Sequence, residues 1–328
     1  MVFRVLHHNQ CFDGACSASI FTRLHRECLG GAEAYEYCGL THKAGGGGLG
    51  EDIFGPGENA VVDFKYTSSP KLTWWFDHHI SAFVTPEERA AYEAGQAGDK
   101  GKRQFFDPNY ISCTSFIASV GASHFGFDVS GLGELLHWAD IVDGARFESA
   151  KSAVEMKEPA LQIAMVIENA VGPAFIPRII PLLTEMSLAD VLAQPFVKER
   201  VGPLMEKHLA SMELIRERAE VKNGVIYVDL LDKQVEALNK FIPYYFYPEA
   251  TYTVAATRSN QRAKISVGTS PWTKLPPSEL INLAAICERY GGGGHARVGA
   301  VSLQASEVEK TSAVAEGIVA ELRARGTA

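Results

Sequence analysis

Three short, largely apolar stretches each run into groups of the kind that bind metals. Residues 2–6 lead into His7, His8 and Asp13, residues 59–62 into Asp63, and residues 72–76 into Asp77, His78 and His79. Each stretch has the length and residue types of a strand. Further strand-like runs lie at 34–38 and 60–64, and helical patterns at 15–29, 112–125 and 132–143. Strands alternating with helices predict a parallel sheet covered by helices. In such sheets ligands bind outside the carboxyl ends of the strands. The pattern therefore predicts three strands delivering acids and imidazoles to one edge.

Residues 196–221 are charged and helix-prone. After them, 224–230, 252–257, 263–267 and 298–303 read as strands, and 280–290 and 306–325 as helices. The predicted fold class is α/β. A doubly wound, parallel-sheet domain spans 1–185, a connector helix 186–220, and a smaller mixed α/β domain 221–328. The glycine run over 45–50 reads as a flexible loop, since no lysine or Ser/Thr follows at the P-loop spacing.

Composition narrows the function. The chain has 328 residues, 46% hydrophobic and 21% charged, which suits two globular domains. The net charge of -8 disfavours long duplex nucleic acid as a partner and leaves room for a small anionic substrate in a local basic pocket. The six cysteines are scattered without a C-x-x-C pair, so free thiols in a reducing compartment are expected. The N-terminus opens into a strand-like run rather than a signal peptide. No apolar stretch approaches the ~18–20 residues that span a bilayer. A cytoplasmic protein with no membrane partner is expected, and a homodimer is compatible with the sequence.

Converging carboxylates and imidazoles suit divalent metals and phosphoester hydrolysis. Asp63 ends an apolar strand, where a buried acid is costly without a cation. As a lone residue it would read plausibly as a helix N-cap before 67–69, and less so beside the other groups. Asp77-His78-His79 is the sharpest signal because it follows a strand, although the tripeptide alone is common by chance. Near the C-terminus, Gly291, Gly292, Gly293 and Gly294 precede His295 and Arg297. Glycines allow the main chain to approach a phosphate closely, and His295 and Arg297 offer donors. The plain alternative is a turn.

Together these elements resemble the DHH phosphoesterase superfamily, which holds RecJ-type exonucleases, oligoribonucleases, cyclic-dinucleotide phosphodiesterases, exopolyphosphatases and family II pyrophosphatases. Residues 7–17 resemble its first motif, of pattern H-x-N-x-D-x-D. Asp63 resembles the second motif, Asp77-His78-His79 the third, and Asp143 with Gly144 and Phe147 the fourth. The run from Gly291 to Gly299 is similar to the GGGH loop of the associated substrate domain.

The resemblance implies a metal held by His7, Asp63 and the residue at position 11, and another held by Asp13, Asp63, His78 and Asp143. It makes Asp77 the partner that orients an imidazole, and places His79 near the scissile phosphate. Mn2+ is the implied cofactor, with Mg2+ as the alternative, as one or two ions. The substrate would be a small nucleotide or short single-stranded oligonucleotide held in a cleft, gripped by Gly292, Gly293, Gly294, His295 and Arg297.

Several positions leave alternatives open. Cys11 stands where many members carry aspartate, and reads either as a soft ligand or as a small buried residue. Either His7 or His8 fits the first motif. Asp140 and Asp143 share a helical face, with Asp143 preferred because Phe147 follows at the family's distance. Gly268 stands where an arginine is usual, with Arg258, Arg262 or Lys264 as substitutes. The aromatic cluster 244–247 reads either as a platform on which a base stacks or, preferred, as packing, and Trp74 and Trp75 read as packing residues. Rival functions are an exopolyphosphatase-like hydrolase and a nucleotide-binding protein with weakened catalysis.

Overall fold

The computed structural model describes residues 2–42, 48–235 and 238–325. Residues 45–47 of the early glycine run lie outside the described residues. The chain forms two compact units. The first comprises 1–146 and 157–202, the second 147–156 and 203–328.

The first unit holds five strands, β1 (Val2–His8), β2 (Ala34–Leu40), β3 (Asn59–Val62), β4 (Trp74–Asp77) and β5 (Gln104–Phe106). They pair entirely in parallel in the order β2-β1-β3-β4-β5. β3 and β4 are buried at every position, as expected for central strands covered on both faces. The helices of this part are α1 (Phe12–Cys28), α2 (Pro86–Gly95), α3 (Cys113–Phe125) and α4 (Gly133–Asp143). Side chains alternate along β4. Phe21 of α1 packs on Trp74 and Phe76, while Tyr92 of α2 packs on Trp75 between them. Helices therefore lie on both faces, as in a doubly wound sheet. Trp74 and Trp75 are buried packing residues, and the Trp75 indole donates to the Phe64 carbonyl.

The strand order reverses between β1 and β3, so the chain leaves β1 in opposite directions on either side of that pair. Such a switch point opens a crevice at the carboxyl ends of the strands. His7 and His8 end β1, and Asp63 follows β3 directly.

After α4, the chain adds α5 (Ala150–Val154), α6 (Pro159–Glu168), α7 (Phe175–Ile179), α8 (Leu188–Ala193) and α9 (Pro195–Arg218). The second unit then builds a six-stranded sheet from β6 (Ala219–Lys222), β7 (Val225–Gln234), β8 (Tyr252–Arg258), β9 (Arg262–Thr269), β10 (Gly293–His295) and β11 (Val298–Gln304). Its order is β10-β11-β9-β8-β7-β6, antiparallel except for the β7–β8 pair. Its helices are α10 (Ile242–Phe246), α11 (Leu283–Glu288) and α12 (Val308–Arg325). Val254, Ile265 and Val267 on the sheet and Ile318 and Leu322 on α12 are buried in one core.

The structure corrects two local expectations. The helix expected over 280–290 is only Leu283–Glu288, with Asn282 capping it through the Ala285 amide. The glycine-rich segment is not a free loop but partly strand, because Gly293, Gly294 and His295 pair antiparallel with Val298, Gly299 and Ala300. Among the described residues no helix is long and apolar enough to cross a membrane.

Candidate metal centre

Asp63 sits at the centre of the constellation. Its backbone adopts φ 55°, in the left-handed region, while its amide donates to the Phe76 carbonyl at 2.9 Å. This turn directs a 1%-exposed carboxylate between three imidazoles. His8 Nδ1 lies 3.5 Å from one carboxylate oxygen, and His78 Nε2 and His79 Nδ1 lie 3.6 and 3.7 Å from the other. These separations allow ion pairing but are too long for hydrogen bonds, and both Asp63 oxygens are buried without a hydrogen-bond partner. Burial opposes the charge, yet the His78 and His8 imidazoles hold the Asp63 carboxyl below the ordinary carboxylate range.

Asp13 belongs to the first turn of α1. Gly14 follows it because a Cβ there would collide with the His8 carbonyl. The buried Asp13 carboxylate accepts from the Cys113 and Thr114 amides at 2.7 and 3.1 Å and from the Thr114 hydroxyl at 2.6 Å. It thus anchors the start of α3, where unpaired amides favour an anion. One of its oxygens lies 3.8 Å from His78 Nε2.

His78 is the hub. Its Nδ1 lies 3.0 Å from the Tyr110 carbonyl, so that nitrogen carries the proton. Nε2 has no hydrogen-bond partner and faces Asp13, Asp63 and Asp143, the last at 3.5 Å. Burial works against protonation, but Asp63 and Asp13 raise the His78 pKa to about 10. His79 rises to about 9 against the same burial penalty, because its Nδ1 lies 2.7 Å from Asp77 Oδ1. That Asp77 oxygen also accepts from the His78 and His79 amides. Asp143, the last residue of α4, is pushed up to about 6 by burial and the Asp63 charge.

Among the described residues three groups bring ligand atoms within 4.8 Å of one another: His8 with Cys11 and Asp63, Asp63 with His78 and His79, and Asp13 with His78 and Asp143. Asp63 and His78 are each shared by two groups. An unpaired buried polar atom costs ~1–3 kcal/mol, and a core seldom leaves several in one place. The unpartnered atoms of Asp63, Asp77, His7 and His78 lie among carboxylates that crowd each other. Oxygen and imidazole donors short of positive charge fit one or two divalent cations.

The paired candidates are placed differently. His8 is in a ligand group, whereas His7 is buried with its Nδ1 3.0 Å from the His8 carbonyl and its Nε2 unpartnered. Burial lowers the His7 pKa to about 4, so it is a neutral ring, and its unpartnered Nε2 keeps a free lone pair close enough to Asp63 to feel its charge, the same arrangement as in His78. Asp140 is turned to another task. It accepts the Ser112 hydroxyl at 2.5 Å, and Ser112 caps α3 through the Ser115 amide. It belongs to none of the three groups.

In the second unit, close backbone approach requires glycine at two positions of the Gly291–Gly294 run. A Cβ at Gly292 or Gly294 would strike the Ala300 or Val298 carbonyl on the paired strand. His295 is exposed in the hairpin, and Arg297 donates to the Ser270 carbonyl at 3.0 Å. Gly268 pairs with Val298 and its carbonyl accepts from the Tyr244 hydroxyl at 2.8 Å. Arg297 is therefore the arginine nearest Gly268 in this sheet end. Arg258 is not brought to the hairpin. Gly268 is in register with Thr253, and Arg258 lies five residues further along β8, about 16 Å away. The same register puts Arg262 and Lys264 toward the far end. Tyr244 is buried against Trp272, as expected for a packing residue.

No family model matches the chain, and no curated protein does. Solved structures do match over nearly the whole length. A pGpG-specific phosphodiesterase, PggH of Vibrio cholerae, superposes with a TM-score of 0.67 at 19% identity, covering 97% of this chain and 99% of that one. The DHH domain of a member of the s1p family of ribosomal proteins gives 0.59 at 12% identity, covering 97% and 86%. An exopolyphosphatase-related protein from Bacteroides fragilis gives 0.52 at 12% identity, covering 100% and 94%. The chain has the DHH fold.

Within the DHH fold of this chain, some partners left no trace in the sequence. Tyr110 orients His78 through a main-chain carbonyl, which any residue could provide. Thr114 secures Asp13 across 101 residues. His42, just past β2, sets its ring edge-on to His8 at 5.0 Å and stacks on Phe64 at 4.5 Å, a placement that only the sheet order creates.

Proposed function

We propose that the chain is a metal-dependent phosphoesterase that hydrolyses short oligonucleotides, linear dinucleotides or similar small phosphoesters. The observation that carries this reading is the Asp63 carboxylate, buried, unpartnered and shared between two ligand groups. A carboxylate so placed is suited to bridging two cations. Mn2+ fits the oxygen and imidazole donors of His8, Asp13, Asp63, His78 and Asp143, with Mg2+ as the alternative. When bound, such ions polarise a phosphoryl oxygen and activate water for in-line attack.

The residues around them divide the remaining work. Asp77 fixes the His79 ring through Nδ1, leaving Nε2 free and the side chain 41% exposed. With its pKa near 9, His79 holds a proton at neutral pH and can give it to a leaving oxygen or to the phosphate. Tyr110 fixes the His78 tautomer so that Nε2 is the ligand atom. In the second unit His295 is exposed and Arg297 is a cationic donor, chemistry suited to an anionic group. The net charge of -8 and the nucleotide-sized substrate named for the Vibrio cholerae protein both favour small substrates over long polymers.

The test is hydrolysis of a panel with Mn2+: linear di-adenylate, a cyclic dinucleotide, short RNA and DNA, and polyphosphate. Wild type should turn over a nucleotide substrate, and Asp63→Asn should abolish it. Turnover of polyphosphate alone would replace the nucleotide reading, and no turnover of anything would refute the enzyme.

A further inference from the structure

The three ligand groups are not chemically alike. Two consist of carboxylate oxygens and imidazole nitrogens only, Asp63 with His78 and His79 and Asp13 with His78 and Asp143. The group of His8, Cys11 and Asp63 contains a sulfur. Cys11 is the residue immediately before α1, and its side chain makes no capping hydrogen bond to that helix. Its Sγ instead lies within 4.8 Å of the His8 and Asp63 ligand atoms.

A second observation points to a ligand here. Both oxygens of the 1%-exposed Asp63 carboxylate are unpartnered, and His8 Nδ1 lies 3.5 Å from the nearer one. Donor atoms bound to one tetrahedral ion at ~2.0–2.3 Å stand ~3.3–3.8 Å apart, which matches that separation. One sulfur, one imidazole and one carboxylate leave a fourth position open, the ligand count of catalytic zinc sites. Thiolate is a soft donor that selects zinc over manganese and magnesium, whereas the all-oxygen and imidazole groups select harder ions.

We infer that the two ends of this centre prefer different ions: Cys11, His8 and Asp63 hold a thiophilic divalent cation, zinc above others, while Asp13, His78 and Asp143 hold manganese or magnesium. Cys11 thereby sets the metal preference of one half of the site. The inference rests on reading the constellation as a metal centre.

The test is a cobalt(II) titration of the metal-free full-length chain. Cobalt shows visible ligand-field bands in either kind of site, but a near-ultraviolet charge-transfer band only when a thiolate is bound. Wild type should show both. Cys11→Ser should lose the charge-transfer band and keep the visible bands, whereas Cys28→Ser should keep both. Cys11→Asp, which restores a charged ligand, should lower the preference for zinc over manganese in competition dialysis by ~10-fold or more, the scale on which ligand surroundings alter metal affinity. Persisting visible bands also report that each variant is folded. Visible bands without charge transfer in wild type, or charge transfer that survives Cys11→Ser, would overturn the inference and leave the metal centre standing. Failure to bind cobalt at all would overturn the metal-centre reading itself.

Discussion

His79 Nδ1 lies 2.7 Å from Asp77 Oδ1, and the same oxygen accepts the amides of His78 and His79. One buried carboxylate therefore sets the direction of both histidines that follow it. The His79 ring cannot turn without breaking this contact, and its Nε2 is left as the only ring nitrogen open to a substrate.

Replacing Asp77 with asparagine should shift the pH profile of hydrolysis. In the proposed reaction His79 acts protonated, so activity should be present below its pKa and lost above it. Asp77 raises that pKa to about 9. Asp77→Asn should move the alkaline limb down toward the ordinary imidazole value of ~6.5. His79→Ala should lower kcat by ~10²–10⁴-fold. An unshifted alkaline limb in Asp77→Asn would contradict this role.

Asp63→Asn and Asp63→Ala should differ in stability but not in activity. Asparagine tolerates the left-handed backbone at φ 55°, whereas alanine there costs ~1 kcal/mol or more. Both lose the charge proposed to bridge the ions, so metal affinity should fall by more than the ~10–100-fold typical of changes to outer partners. Elemental analysis and urea unfolding separate the two effects.

Metal uptake should release protons. In the metal-free chain His78 titrates near 10, so its Nε2 is protonated at neutral pH and must lose that proton to become a ligand. The sign is that apparent affinity rises with pH and levels off above about pH 10. For the metal-free fold the contribution runs the other way: the His78 contacts stabilise it below the ordinary imidazole pKa, and that stability is lost as pH climbs through about 10. Calorimetry in buffers of different ionisation enthalpy measures the released protons directly.

Ser112 and Thr114 should matter without touching substrate. Ser112→Ala removes the α3 cap and leaves Asp140 without its hydroxyl donor, at ~1 kcal/mol. Thr114→Val removes one of three donors to the buried Asp13 carboxylate, at ~1–3 kcal/mol. Urea midpoints report both, and Thr114→Val should also weaken metal binding, because Asp13 loses its fixed position.

In the second unit, Gly292→Ala should disrupt the β10–β11 pairing, since its Cβ meets the Ala300 carbonyl rather than a movable side chain. Loss of amide protection across Val298–Gln304 is the expected readout, with Gly293→Ala, which has open space at its Cβ, as the benign comparison.

Much of the fold was legible in the chain because local patterns specify local structure. The apolar runs ending at His8, Val62 and Asp77 are parallel strands, and parallel strands present their carboxyl ends to one edge, so the acids and imidazoles after them had to be neighbours. The short β5 and α2 escaped, since three residues of Gln104–Phe106 carry too little periodicity to read. The glycine run was visible, but not its pairing with Val298 and Gly299, which rests on register.

Where adjacent residues competed, only the tertiary structure shows what each one meets. His7 and His8 are equivalent to a motif; the sheet order put Asp63 within 3.5 Å of His8 and left the His7 Nε2 buried without a partner. Asp140 and Asp143 share a helix face, but a three-residue offset carries one to Ser112 and the other to His78. Cys11 reads in the sequence as either ligand or small packed residue, and only the turn at Asp63 reveals that a bare carboxylate lies beside it. The sequence determined which residue types reach the sheet edge; distances of a few ångströms across distant segments, set by packing, determined which of them meet.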